Sequence, residues 1–145
     1  MHASQAFLLY QAAMIYSRTS MFPQQRRYSG TSQDVHSDTE RRVLSIIALA
    51  SEAVEAGHLD RRHLVFPLFI AGYATLQPDA KVKALDLISA FESTGIGQNT
   101  ARTRRLLKVV YEEQRRAYDA GGRMEDVDWL TVARDRGLTV VNCGL

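Results

Sequence analysis

The sequence predicts an all-α fold, a single domain of about six helices around a central apolar helix. The chain has 145 residues, a length typical of one domain. Its apolar residues recur mostly at the three- and four-residue spacing of helices, with Gly and Pro between the periodic segments. Residues 64–76, LVFPLFIAGYATL, carry no charge. A membrane span needs about 20 residues, so we expect this shorter segment to be a buried central helix.

The composition is that of an ordinary globular protein, with 46% hydrophobic residues, 23% charged residues and a net charge of +2. Such a small charge does not by itself predict nucleic-acid binding. The single cysteine, Cys143, excludes an intrachain disulfide and a multi-cysteine zinc site. The first 33 residues contain three arginines and no acid, as in mitochondrial transit peptides, but a helix followed by a polar loop is the better interpretation.

The first helix is predicted at residues 3–18, with Phe7, Tyr10 and Met14 along its inward face. A polar segment rich in turn formers follows at 21–37 and predicts a loop or linker. A connection of this length is uncommon inside a compact domain.

The second helix is predicted at residues 38–56. Ser37 and Glu40 have the spacing of a capping box at its start, and Gly57 is suited to its C-terminal end. The predicted inward residues are Val43, Ile47, Ala50 and Val54.

The third and fourth helices are predicted at residues 62–76 and at 78 to about 93. Pro67 lies early in the apolar segment 64–76 and Pro78 at the start of the fourth helix, and a helix tolerates proline in its first turn. The predicted inward residues of the fourth helix are Ala84, Ile88 and Phe91.

The fifth helix is predicted at about 100–118 with Asn99 as its N-cap, and a last short helix at 127–135 with Asp126 as its N-cap. Residues 138–142 are interpreted as a short strand or an extended tail. The predicted inward residues of the fifth helix are Leu107, Val110, Tyr111, Gln114 and Tyr118.

No set of residues has the spacing of a recognised catalytic site or phosphate cradle. Gly95 and Gly97 precede a predicted helix, but a third glycine and the required strand are missing, so a helix–helix turn is favoured. Cys143 has no histidine nearby in the sequence, and no serine lies in a nucleophile elbow. Glu112 and Glu113 precede two arginines, which indicates local pairing on a solvated helix face.

Two short segments concentrate histidine and aspartate, but neither has a recognised zinc or calcium spacing. The first contains Asp34, His36 and Asp38, and the second contains His58, Asp60 and His63. A solvated loop is the better interpretation of the first segment, and a capping or ion-pair role that of the second. We therefore assign no catalytic, cofactor-binding or metal-binding residue, expect no cofactor, and predict that the protein is not an enzyme.

Basic residues are in excess over acids on and just after the fifth predicted helix. This segment contains three acids and seven basic residues. The basic residues are Arg102, Arg104, Arg105, Lys108, Arg115, Arg116 and Arg123. A solvated face is favoured over contact with nucleic acid or with an acidic partner helix. Trp129 is predicted to be a buried anchor whose N–H reaches a carbonyl or carboxylate.

Three segments together resemble a known family. They are AMIYSRTSMFP (13–23), HLVFPLFIAGYAT (63–75) and MEDVDWLTVARDRGLTVV (124–141). In this order they resemble the C-terminal part of the fungal-specific transcription factor domain of binuclear zinc-cluster regulators. Phe66 stands where that family usually has tryptophan, and Tyr73 where cysteine is frequent.

The resemblance implies an all-helical regulatory domain in the nucleus, acting through contacts with the rest of a transcription factor, with co-regulators or with a second copy. The family's six-cysteine cluster has no counterpart here, so we expect no specific DNA contact and a fragment without the DNA-binding domain. No segment reaches about 18 apolar residues, so we expect no membrane contact. Residues 1–20 are then a first helix, 21–37 a loop or linker, and 38–145 the helical core. The alternative is a generic helical interaction or dimerisation module outside transcription.

Overall fold

A computed structural model describes residues 2–29, 32–57, 63–92 and 97–138. In these ranges the chain forms seven α-helices and no strand, which confirms the predicted all-α class. The helices are α1 (His2–Thr19), α2 (Gln25–Ser29), α3 (Gln33–Ala56), α4 (Val65–Ala74), α5 (Pro78–Glu92), α6 (Gly97–Asp119) and α7 (Trp129–Asp135), with a 3-10 turn at Met124–Asp126.

The apolar helix α4 lies at the centre, as predicted. All ten of its residues are buried, and it packs against α1, α3, α5 and α6. Leu68, Phe69 and Ile70 are fully buried. Each such side chain contributes about 1.5–3 kcal/mol through removal of apolar surface from water. Pro67 is the third residue of α4, where its missing N–H breaks no bond within the helix.

Gly72 allows α4 to lie close to both α5 and α6. A Cβ atom at this position would lie 2.6 Å from the Tyr111 hydroxyl oxygen, 3.1 Å from Ala84 Cβ and 3.1 Å from Leu107 Cδ2. The first of these distances is shorter than any ordinary contact, so the position requires glycine unless its neighbours move.

The predicted inward face of α1 is wrong by one position. Leu8, Ala12 and Ile15 are buried, whereas Phe7 and Tyr10 are exposed. One residue rotates a helix by about 100°. Because α1 is apolar on both stripes, the spacing alone did not distinguish the inward face from the outward one.

The start of α3 also differs from the prediction. The helix begins at Gln33, and Ser32 is its N-cap, with the Ser32 hydroxyl accepting a hydrogen bond from the Val35 N–H at 3.3 Å. The predicted Ser37–Glu40 capping box is therefore wrong. Gly57 ends α3 as predicted, with φ of 66° and its N–H bonded to the Ala53 carbonyl.

Helical residues thus occupy part of the segment 21–37, which was predicted to be a loop. They comprise α2 and the first residues of α3. The division of the chain into 1–20, 21–37 and 38–145 stays a prediction.

Two further capping predictions are wrong, and one predicted inward residue is exposed. Helix α6 begins at Gly97, so Asn99 lies inside its first turn. Asp128, and not Asp126, caps α7. Tyr118 lies near the end of α6, beyond the core, and is 65% exposed. A short strand or extended tail was predicted at 138–142, and residues 139–142 of it lie outside the described ranges.

Trp129 joins α7 to the core. Its ring is buried and lies edge-on to Phe69 of α4, with ring centroids 5.1 Å apart. The predicted burial is therefore confirmed. The indole N–H donates to the Ser20 hydroxyl oxygen at 2.8 Å, so the acceptor is not the carbonyl or carboxylate that we expected.

Candidate functional site

The outer face of α1 is exposed and uncharged. No Asp, Glu, Lys or Arg occurs between Ala3 and Ser17. Phe7 is 44% exposed, Leu9 49% and Tyr10 55%. The residues that we name the α1 face are Ala3, Ala6, Phe7, Leu9, Tyr10 and Ala13. A surface helix ordinarily carries charged or polar residues on its outer side, and a contiguous apolar patch there is typical of a contact surface.

An ion-pair cluster between α1 and α3 holds this face in place. The carboxylate of Asp38 accepts hydrogen bonds from three arginines. They are Arg18 of α1 and Arg41 and Arg42 of α3. The hydrogen bonds from Arg42 and Arg18 hold the pKa of the Asp38 carboxyl well below its usual range.

Arg42 extends this cluster to the side chains of α1. Its Nη1 donates to Gln11 Oε1 at 2.8 Å, and its guanidinium lies 5.6 Å from the centroid of the Tyr10 ring. The solvated loop expected for Asp34, His36 and Asp38 is therefore wrong, because all three lie on α3. Of these, Asp38 joins two helices.

The C-terminal end of α4 is closed by polar side chains from other elements. Arg26 Nη2 donates to the Ala74 carbonyl at 3.2 Å, and Gln114 Nε2 donates to the Tyr73 carbonyl at 3.2 Å. Lys81 Nζ donates to Gln114 Oε1 at 2.6 Å, and burial lowers the pKa of Lys81 to about 8. These bonds satisfy carbonyls that a helix leaves without a partner at its end. We interpret the group as structural.

A cavity of about 250 Å³ lies between α6, the 3-10 turn and α7. We name it the acidic cavity, because four of its lining residues are acids and none is basic. The acids are Glu113, Asp126, Asp128 and Asp135. Glu113 accepts hydrogen bonds from Arg116 at 2.9 Å and from Arg136 at 2.8 Å.

Asp128 is the buried acid of this cavity, with 6% of its surface exposed. Its Oδ2 accepts from both the N–H and the hydroxyl of Thr131, at 2.9 and 2.7 Å. Its Oδ1 is also buried and has no hydrogen-bond partner in the described part of the chain. Buried polar atoms are nearly always paired, so this oxygen is an exception that needs an explanation.

The comparison with protein families gives a match over nearly the whole chain. The model of the family described as fungal specific transcription factor domain matches residues 2–143.

The chain belongs to this family.

The resemblance read from the three sequence segments is thereby confirmed. Membership of the fungal specific transcription factor domain family supports a transcription-regulatory role and contact with other regulatory proteins. Neither the comparison with curated proteins nor that with solved structures gives a match.

The structure bears on the predicted absence of metal sites and membrane spans in this fungal transcription factor domain only for the residues that it describes. Across the described ranges, no three His, Cys, Asp or Glu side chains are grouped so that they could hold a metal ion. No helix in those ranges has both the length and the apolar character of a membrane span. Gly95, His58, Asp60 and Cys143 lie outside the described residues, so their interpretations stay predictions.

Local pairing on α6 is confirmed by the Glu113–Arg116 ion pair, but the sequence did not indicate Arg136 of the α7 end as a second partner. The exposed basic residues of α6 include Arg102, Arg105 and Lys108.

The α1 face was indicated in the sequence by the absence of charge over fifteen residues from Ala3 to Ser17. The acidic cavity was not indicated in the sequence, since its lining comes from separate parts of the chain.

Proposed function

We propose that this fungal specific transcription factor domain regulates transcription in the nucleus by binding proteins, without catalysis and without reading DNA itself. Membership of the family supports the regulatory role. The observation that carries the contact mechanism is the α1 face, an exposed helix surface without a charged residue from Ala3 to Ser17.

The composition of the α1 face supports binding of an apolar protein surface. Phe7, Leu9 and Tyr10 are each about half exposed. Covering them contributes about 25 cal/mol for each Å² of apolar area removed from water. The alanines of the face have short side chains, which let another helix approach closely. The Asp38 cluster fixes α1 on α3, so binding requires little ordering of the helix itself.

The experiment is to tether residues 1–145 to a heterologous DNA-binding domain and to measure reporter output in an activation and a repression format. We expect the wild-type chain to change the output in one format. Leu9→Glu should abolish the change, because it places a charge on the α1 face. Val82→Glu on α5 is the matched control, since Val82 is an apolar residue that is 60% exposed on another helix.

Thermal melting by circular dichroism establishes that both variants are folded. An output that is unchanged by the wild-type chain in both formats would refute the regulatory function. Equal losses for Leu9→Glu and Val82→Glu would refute the role of the α1 face. A tagged chain that is excluded from the nucleus would favour the alternative, a helical interaction or dimerisation module outside transcription.

A further inference from the structure

We propose that the acidic cavity binds the guanidinium group of an arginine side chain that belongs to a protein partner. The cavity lies away from the α1 face in the sequence, at α6, the 3-10 turn and α7. Binding at the cavity can therefore be tested separately from binding at the α1 face.

The charge of the lining favours a cationic ligand. Glu113, Asp126, Asp128 and Asp135 line the cavity without a basic residue among them. Glu113 is already held by Arg116 and Arg136, and Asp135 lies 3.4 Å from the Nε atom of Arg134.

Asp126 and Asp128 differ from Glu113, because within the described ranges neither forms an ion pair. A cation that enters the cavity would therefore interact mainly with these two carboxylates.

The burial and hydrogen bonding of Asp128 are a second, independent observation in favour of a ligand with hydrogen-bond donors. The residue is 6% exposed, and its Oδ1 is buried without a hydrogen-bond donor from the described chain. Its other oxygen is fully used by Thr131, which supplies two donors. A buried carboxylate oxygen without a donor is unfavourable, and Asp128 lines the cavity, so a donor that reached this oxygen from the cavity would offset that cost.

The arrangement of the acids favours guanidinium over a metal ion. No three potential metal ligands in the described ranges are grouped for coordination. Carboxylates that are spread around a cavity suit a ligand with several donors on a plane. Guanidinium has five N–H donors in a fixed fork, whereas a lysine ammonium is a compact point charge on a flexible stem. A guanidinium in the cavity therefore has enough donors for both Asp126 and Asp128.

The test is a titration of the full chain, labelled with ¹⁵N, with the blocked peptide acetyl-Gly-Arg-Gly-amide. We expect amide shifts at Thr131 and Val132 that saturate. The same peptide with citrulline in place of arginine is the neutral control and should bind about tenfold more weakly, because a charge-assisted hydrogen bond is lost. Spermidine is the control for a free ammonium cation.

Asp128→Asn removes the charge but retains an N-cap residue, so α7 is kept. We expect this variant to weaken peptide binding about tenfold. Asp119→Asn, on an exposed part of α6, should leave binding unchanged. Equal binding of the citrulline peptide, or equal effects of the two substitutions, would overturn the proposal. Shifts produced by spermidine but not by the arginine peptide would also overturn it, in favour of a site for a free cation.

Discussion

At the residue scale, Gly72 lets the central helix lie close to α5 and α6. Its missing side chain leaves room for the Tyr111 hydroxyl, which donates to the Lys81 carbonyl at 3.0 Å. The same residue thus serves the packing of α4 on α6 and a hydrogen bond between α6 and α5. Tight packing of this kind makes a core sensitive to a single added methyl group.

Gly72→Ala should therefore destabilise the domain by about 1–3 kcal/mol, the usual effect of overpacking. Tyr111→Phe removes the hydroxyl oxygen that the new methyl group would meet at 2.6 Å. In urea denaturation the double variant should be more stable than the sum of the two single effects predicts. Strictly additive effects would show that the Tyr111 hydroxyl is not the obstructing group.

At the element scale, one carboxylate supplies the ion pair between α1 and α3. Asp38 accepts from arginines of both helices, and Arg18 is the only charged residue of α1. Because the surrounding arginines lower the pKa of Asp38 in the folded state, its ionised form stabilises the fold. This contribution is fully present well above the unfolded-state pKa of about 3.9, and it is lost progressively as the pH falls from there through the lower pKa of the folded state.

Asp38→Asn should destabilise the domain at pH 7, because the three arginines lose their charged acceptor. The difference from wild type should narrow as the pH falls below about 4, because the Asp38 carboxylate of the unfolded state then takes up its proton while that of the folded state does so only at lower pH. Chemical denaturation at several values from about pH 2 to about pH 7 measures the difference in the free energy of unfolding between the variant and the wild type. Asp86→Asn, at an exposed position on α5, is the control and should give a small difference without this pH dependence. A difference that stays constant with pH would contradict the proposed role of Asp38.

The attachment of α7 to α4 depends instead on apolar contact. Phe69 is fully buried and lies against Trp129. Phe69→Asp should unfold the domain, because an unpaired carboxylate would be buried in the core. Circular dichroism should show loss of helix at 25 °C. Arg102→Ala at an exposed position of α6 should change the free energy of unfolding by no more than about 0.5 kcal/mol. A cooperative melt of the Phe69→Asp variant would contradict this interpretation.

At the scale of the whole molecule, the helices bury α4 on all sides but leave α1 covered on one side only. The exposed side carries Phe7, Leu9 and Tyr10, so the molecule presents an apolar surface to water. Such surfaces bind hydrophobic dyes and tend to associate. This property is independent of whether the natural occupant is another regulatory protein or a second copy.

The domain should therefore increase the fluorescence of a hydrophobic dye and should self-associate as its concentration rises. Leu9→Glu should reduce both effects, whereas Val82→Glu should resemble the wild type because it lies outside the α1 face. Dye titration and sedimentation measure them. A wild-type chain that stays monomeric and binds no dye would contradict the exposure of this surface.

Much of the architecture was predictable from the sequence, because it depends on local patterns. The all-α class followed from the spacing of apolar residues, and the burial of α4 followed from the absence of charge at residues 64–76. Gly57 and Pro78 marked helix ends correctly, since their effect on the backbone is intrinsic to the residue. The family was also recognisable from three segments of the sequence, and the family model matches residues 2–143.

By itself, then, the sequence determined the helical class, the buried centre and the family of this protein. Only the tertiary structure decided which side of α1 faces inward, because both of its sides are apolar and burial depends on the neighbouring helices. It also decided the partners of Asp38 and the acids around Asp128, since folding brings together residues from separate elements. Local patterns record the preferences of a segment, whereas contacts between distant segments arise when the core forms and sets their positions.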